Sequence, residues 1–446
     1  MTMSSRRVVV MDVVGLAPNY LQMKEHAPHL HDLAVSGTMH TITPVFPAVT
    51  LPVQASLLTG TYPETHGVVS NGFYFPETYH VAFWEQAASL VQAERLWEWL
   101  KRRHPSITAA LLFFQNSLYA SCDIVMTPRP LHTEDGMIPW CYSKPVGLYE
   151  DLSEKIGVFN LMHYWGPLAS IESSRWIAKA AVEVLERFRP HLLFVYLPHL
   201  DYGLQKYGPK DPKILEELAA VDAEVGRIVQ GVSALGLEQD TTFIVVSEYT
   251  FSDVIGDVSL NRVLRDAGFL KVRTIKGREY VDLEMSEAFA MVDHQVAHIY
   301  IKAGYEKRVR SCLEKTDGVD ILMDREEQKK HRVSHPRAGD LIAVSSRDRW
   351  FSYYWWDDPT KEPDFARRVD IHRKPGYDPL ELFLEPGTLR ISHDTSKIHG
   401  SHGYPPLTLQ DRVPLLVSGP GAEIVQGVRD LSVTDIAKVI ERIMGL

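Results

Sequence analysis

The feature that most restricts how this chain can fold is a series of short, nearly continuous apolar runs separated by longer amphipathic stretches. The first is Arg6-Arg7-Val8-Val9-Val10-Met11-Asp12, and comparable runs cover 38–42, 107–114, 191–197, 241–247 and 413–418. A short apolar run without alternation reads as a strand buried on both faces. Between the runs, residues 26–35, 94–102, 172–188 and 213–235 repeat their apolar positions at helical spacing, as do 433–442 near the end. This alternation predicts an α/β fold, with a largely parallel sheet between helix layers. In such sheets the site forms just past the carboxyl ends of the strands. Asp12, Asp201 and Glu248 each follow a predicted strand.

The pattern changes between 257 and 390. Short strands over 269–272, 280–283 and 296–301 mix with short helices, followed by the aromatic run Trp350-Phe351-Ser352-Tyr353-Tyr354-Trp355-Trp356. This predicts an inserted α+β cap over 257–390, with the core built from 1–256 and 391–446. Residues 115–167 are rich in Tyr, Trp, Pro and His and read as a long irregular excursion. A length of 446 residues suits a large core carrying such an insertion. The net charge of −10 argues against nucleic-acid wrapping or an anionic membrane as the main partner, and leaves room for a small phosphorylated ligand. Cys122, Cys141 and Cys312 form neither a disulfide framework nor a zinc ribbon, which suits a reducing compartment. With no apolar leader and no run long enough to span a bilayer, a cytoplasmic location is expected. Oligomeric state has no signature in the sequence.

The chemistry concentrates at Phe46-Pro47-Ala48-Val49-Thr50-Leu51-Pro52 and the run that follows to Gly60. Thr50 is placed to cap a helix, Pro52 falls in its first turn, and Gly60 closes it. A hydroxyl there lies at the positive end of the helix dipole, which suits an oxygen that becomes an alkoxide and then carries a phosphoryl group. Downstream come Thr61-Tyr62-Pro63-Glu64-Thr65-His66-Gly67 and Asn71. Taken together with Asp12, this order of motifs resembles the nucleotide pyrophosphatase/phosphodiesterase branch of the alkaline phosphatase superfamily. Asp201-Tyr202 is also similar to phosphonoacetate hydrolase, and Asp435-Ile436-Ala437 resembles the superfamily's closing segment. The resemblance implies Thr50 as nucleophile, Asn71 as a donor to a phosphate oxygen, and His66 as a structural residue of the loop that presents Asn71.

It also implies two metal positions, one on Asp201, Gln205 and His402, the other on Asp12, Thr50, Glu248 and Tyr249. At Gln205, Glu248 and Tyr249 the family pattern has His, Asp and His. The three changes move the ligand set toward oxygen, favouring Mg²⁺, Mn²⁺ or iron over Zn²⁺. Further candidates for contact with an anionic substrate are His199, two residues before Asp201, and His372 and Lys374. Asp293, His294 and His298 are expected to pack in the cap or line its cleft. The implied activity is metal-dependent hydrolysis of phosphodiester or nucleotide pyrophosphate bonds through a covalent threonine intermediate. Rival readings are a phosphonate or sulfate ester hydrolase on the same core, and a weakly active protein that binds a phosphorylated metabolite.

Overall fold

The structure, a computed structural model, describes residues 6–134 and 136–446. Twelve strands matter for the site: β1 (Arg7–Val13), β2 (Thr38–Ile42), β3 (Ala109–Leu112), β4 (Ile124–Pro128), β5 (Cys141–Lys144), β6 (Leu192–Leu197), β7 (Thr241–Val246), β8 (Ala288–Asp293), β9 (Val296–Ile301), β10 (Val319–Met323), β11 (Leu341–Ser345) and β12 (Val413–Ser418). Eight of them form one sheet in the order β2-β12-β7-β1-β6-β3-β4-β5. The centre, β7-β1-β6-β3-β4, is parallel, while β12 and β5 run antiparallel to their neighbours. Every residue of β1, β6 and β7 is buried, as their unbroken apolar sequences require. Helices pack on this sheet, among them α1 (Thr50–Thr59), α2 (Ile171–Phe188), α3 (His199–Tyr207), α4 (Ile214–Ala234) and α5 (Ile436–Ile443). The α/β expectation therefore holds.

The excursion over 115–167 is more regular than its composition implies. It supplies β4, β5 and the helix Leu148–Ile156, so it finishes one edge of the main sheet. Tyr142 and Lys144 of β5 are only partly buried between buried Cys141 and Ser143. An edge strand with one wetter face needs no continuous apolar run and is easily read as a loop.

Strands β8, β9, β11 and β10 form a separate four-stranded sheet, antiparallel throughout. Its hydrophobic cluster includes the buried aromatics Trp350, Phe351, Tyr353, Tyr354, Trp355 and Trp356, and also Val81 and Phe83 from far earlier in the chain. Among the described residues no helix is long and apolar enough to cross a membrane.

Candidate active site

Strands β6, β1 and β7 are neighbours, with Asp12 in register with Tyr196 on one side and Val246 on the other. Their carboxyl ends bring three carboxylates together: Asp12 on β1, Glu248 just beyond β7, and Asp201 in the first turn of α3. All three are buried. The other side of the site is the amino end of α1. Val49 occupies the cap position and Thr50 is the first helical residue, so Thr50 does not cap the helix with its side chain and its hydroxyl is free for other partners. At the far end Gly60 adopts φ +64°, a left-handed conformation open to glycine, and its N–H closes on Ser56 O.

The Thr50 hydroxyl lies 3.2 Å from the Tyr249 phenol, which donates to Asp201 Oδ1 at 3.1 Å. A phenol has one hydrogen, so in this chain Thr50 donates and Tyr249 accepts. Burial holds the Tyr249 phenol well above its ordinary range, and the Asp201 and Glu248 charges add to the effect. Asp201 is pushed up to about 7 by burial, against hydrogen bonds from Gln205 and Tyr249. Gln205, one helical turn after Asp201, turns its nitrogen to Asp201 Oδ2 at 2.6 Å, while its oxygen accepts from Tyr377 at 2.9 Å. It orients the carboxylate, and its own oxygen is turned to Tyr377 and not toward a cation at Asp201.

His402 is set by its backbone. Gly400 comes so close to α3 that a Cβ there would stand 2.2 Å from Leu204 O. His402 Nδ1 lies 2.9 Å from Ala48 O; a carbonyl only accepts, so Nδ1 carries the hydrogen and Nε2 is a bare lone pair. That Nε2 is buried without a partner, 3.9 Å from Asp201 Oδ1. The Tyr249 ring stacks on His402 at 3.5 Å and His294 covers it at 3.7 Å. Burial lowers His402 to about 3.

Asp12 and Glu248 are joined by a residue with little sequence signal. Gln54 Nε2 donates to Glu248 Oε1 at 2.8 Å and to Asp12 Oδ2 at 3.2 Å. Burial pushes Asp12 up to about 7 and Glu248 well above the carboxylate range, with the Asp12 charge next in effect on Glu248. The second oxygen of each acid, Asp12 Oδ1 and Glu248 Oε2, is buried without a hydrogen-bond partner. The one hint in the sequence is position: Gln54 is a polar residue one turn after Thr50, in a helix otherwise mostly apolar on its inner face.

The loop carrying Asn71 is locked into this frame. Leu51 N–H donates to Asn71 Oδ1 at 2.9 Å, and Asn71 Nδ2 donates to Asp293 Oδ1 at 3.1 Å. Asp293 also accepts from Asn71 N–H at 2.9 Å and from the Ser70 hydroxyl at 2.8 Å. Burial raises Asp293 to about 6 despite these bonds. His66 bridges Ser56 Oγ at 2.8 Å and Val68 N–H at 3.2 Å, tying the loop to α1. His298 packs instead against the backbone, near Val69 O and Gly339 N–H.

A cavity of about 440 Å³ opens onto Thr50, Asp201 and Tyr249, with an apolar wall that includes Trp84, Tyr164, Trp165 and Tyr377. His294 and His372 also face it, and no Lys or Arg lines it among the described residues. Two other candidates lie elsewhere. Lys374 is sealed in an ion cluster with Asp378 and Glu381, 2.7 Å from each, so it has no free charge to offer a substrate. His199 turns to Glu217 Oε2, at 2.6 Å, away from the cavity.

The description of the type I phosphodiesterase/nucleotide pyrophosphatase family matches residues 8–378. The chain belongs to that family. A curated relative, the rat ectonucleotide pyrophosphatase/phosphodiesterase family member 1, is 27% identical over 256 residues, 55% of this chain and 24% of its own length. An uncharacterized pyrophosphatase/phosphodiesterase of Schizosaccharomyces pombe is 25% identical over 244 residues, 54% of this chain and 44% of its own length. The chain thus spans less than half of these relatives. Among solved structures, an inactive variant of murine ectonucleotide pyrophosphatase/phosphodiesterase 5 in complex with AMP superposes with a TM-score of 0.64 at 17% identity, covering 99% of this chain and 95% of that one. Phosphonoacetate hydrolase from Sinorhizobium meliloti, in complex with phosphonoformate, gives 0.63 at 15% identity over 99% and 96%. These likenesses carry the fold alone, a mixed α/β sheet flanked by helices.

The family implies divalent metal. Among the described residues no three His, Cys, Asp or Glu side chains converge as a metal-binding group. The Asp201 position nevertheless fits a cation. Its carboxylate lines the cavity, and the bare His402 Nε2 stands 3.9 Å from it, so the two would hold a cation between them. The Asp12–Glu248 position fits less well, because the Gln54 amide already stands between the two carboxylates.

Proposed function

We propose that this chain hydrolyses a phosphoester bond, a phosphodiester or nucleotide pyrophosphate in a small substrate, with Thr50 as the nucleophile. The observation that carries this reading is the placement of Thr50: first residue of a buried helix, on the cavity wall, its hydroxyl linked through Tyr249 to Asp201. As Thr50 Oγ1 forms its bond to phosphorus, its proton passes to the Tyr249 oxygen while the Tyr249 hydrogen moves to Asp201. The ester oxygen leaves and takes a proton from solvent; water then attacks phosphorus and breaks the Thr50–phosphorus bond, giving one proton back to solvent while Thr50 recovers its own from Asp201 through Tyr249. The positive end of the α1 dipole, where Thr50 sits, favours the negative charge that develops on the phosphoryl oxygens.

Asp201 and His402 would hold a divalent cation, which would supply Lewis-acid neutralisation of the phosphate charge. A mixed oxygen and nitrogen donor pair accepts Mn²⁺ or Zn²⁺, so the oxygen-rich preference inferred from Gln205, Glu248 and Tyr249 loses force once those side chains turn elsewhere. Asn71 serves mainly to hold the amino end of α1 through Leu51, with one amide hydrogen left for a phosphate oxygen. The aromatic wall takes an apolar or planar part of the substrate, and the insert over 257–390 contributes to it through His294, His372 and Tyr377. Turnover of bis-p-nitrophenyl phosphate, p-nitrophenyl phosphate, phosphonoacetate and p-nitrophenyl sulfate tests the reading. Phosphodiester turnover should dominate; a faster phosphonate or sulfate reaction, or binding without turnover, would overturn it.

A further inference from the structure

We propose that the Gln54 side-chain amide takes the place of the second metal ion, bridging Asp12 and Glu248 by two N–H bonds where relatives would use a cation. Amide orientation is often ambiguous, since oxygen and nitrogen look alike. Here the surroundings settle it. The backbone N–H of Gln115 lies 2.7 Å from Gln54 Oε1, and a backbone N–H can only donate. The oxygen must therefore face Gln115, and the nitrogen must face the carboxylates. That nitrogen has two hydrogens, and it lies within hydrogen-bond distance of two acceptors, one on Glu248 and one on Asp12.

Three further observations agree. Gln54 is on the same helix face as Thr50, one turn along, and is buried at 1% exposure, so it cannot swing out to solvent. The cavity stops at Thr50 and Tyr249; Asp12, Glu248 and Gln54 lie behind it and do not line it. Tyr249, which the family pattern would count among the ligands of this position, points its hydroxyl at Asp201. The position thus has one oxygen of each acid drawn to a shared amide donor, with Asp12 Oδ1 and Glu248 Oε2 buried beside it without a partner. A cation would have to displace an amide that is itself anchored at its other end.

The inference deepens the hydrolase reading and rests on it for the assignment of two positions. Its test reads metal stoichiometry and melting, not turnover, so the two can fail separately. Metal-stripped wild type, Gln54→Ala and Gln54→Glu are titrated with MnCl₂ by calorimetry, and bound manganese is counted after desalting. Gln54→Ala should bind one Mn²⁺ per chain more than wild type. Two equivalents on wild type, or no gain in Gln54→Ala, would overturn the proposal. Should Gln54→Ala fail to fold, Gln54→Glu gives the same answer, because it keeps the shape and replaces the donor with a third carboxylate. Its melting temperature in EDTA should fall by about 5 °C or more, and Mn²⁺ should restore it while moving wild type less. Equal Mn²⁺ shifts in the two proteins, or no loss in EDTA, would overturn it as well.

Discussion

The chain buries two groups of carboxylates, and they are neutralised in opposite ways. In one, Asp378 and Glu381 share the ammonium of Lys374, 2.7 Å from each. Burial by itself would lower Lys374, but the two acids outweigh it and hold the lysine raised and charged. In the other, Asp12, Asp201 and Glu248 have no lysine or arginine partner among the described residues; their partners are the Gln54 and Gln205 amides and the Tyr249 phenol. The first arrangement closes on itself and gives the chain a fixed brace. The second leaves a carboxylate, a bare imidazole nitrogen and a hydroxyl facing or adjoining a cavity. A buried acid group completed by its own ammonium has nothing left to bind, whereas one completed by neutral donors keeps its appetite for protons and cations.

The largest effect that would test this contrast is on Thr50. Thr50→Ala should lower turnover by at least about three orders of magnitude, the usual scale for losing a nucleophile. Thr50→Ser should remain active, with both variants melting like wild type. An Ala variant near wild-type rate would mean that the neutral-donor group is as structural as the lysine one.

Lys374→Met attacks the other side. It strands Asp378 and Glu381 and should cost roughly 3–5 kcal/mol of unfolding free energy, read by urea denaturation. Adding Asp378→Asn and Glu381→Gln should recover most of that. If the single variant is as stable as wild type, the brace is not one.

Tyr249→Phe keeps the stack on His402 and removes the hydroxyl between Thr50 and Asp201. A fall in kcat of about a hundredfold with KM nearly unchanged is expected, within the range for a lost proton-transfer partner. An unchanged kcat would break the link from Thr50 to the carboxylates.

The smallest effect separates both groups from ordinary buried titration. His66 is held neutral, lowered to about 3 by burial, with the nearby His335 charge acting the same way. Its unfolded form binds a proton below about 6.5 and its folded form does not, so stability should fall as pH drops from that value toward 3. In His66→Gln the slope of unfolding free energy against pH should be shallower by up to about 1.4 kcal/mol per pH unit over that window. Identical slopes would show that His66 titrates as it does when unfolded.

The central strands were legible because β1, β6 and β7 are buried on both faces, and such strands have to be apolar throughout. Strands β4 and β5 were not, since a short strand near a sheet edge is specified by its neighbour more than by its own residues. Asp12, Asp201 and Glu248 could be placed at strand ends from order alone. The partners of Asp293 could not, because they lie 222 and 223 positions away in the chain. Lys374 is a candidate contact for an anionic substrate by sequence; only its burial against Asp378 and Glu381 shows otherwise.

By itself, then, the sequence determined the α/β class, the placement of acids after strands, and a threonine at the start of a helix. These follow from local periodicity and from the rule that parallel strands end on one side. The direction of each polar side chain was decided by tertiary structure alone. Whether Gln54 offers oxygen or nitrogen depends on the Gln115 backbone, whether His402 presents a lone pair depends on Ala48 O, and whether Tyr249 faces Asp12 or Asp201 depends on its stack with His402. Hydrogen bonds are directional and their partners here are far apart in the chain, so donor and acceptor roles exist only once the fold has brought them together.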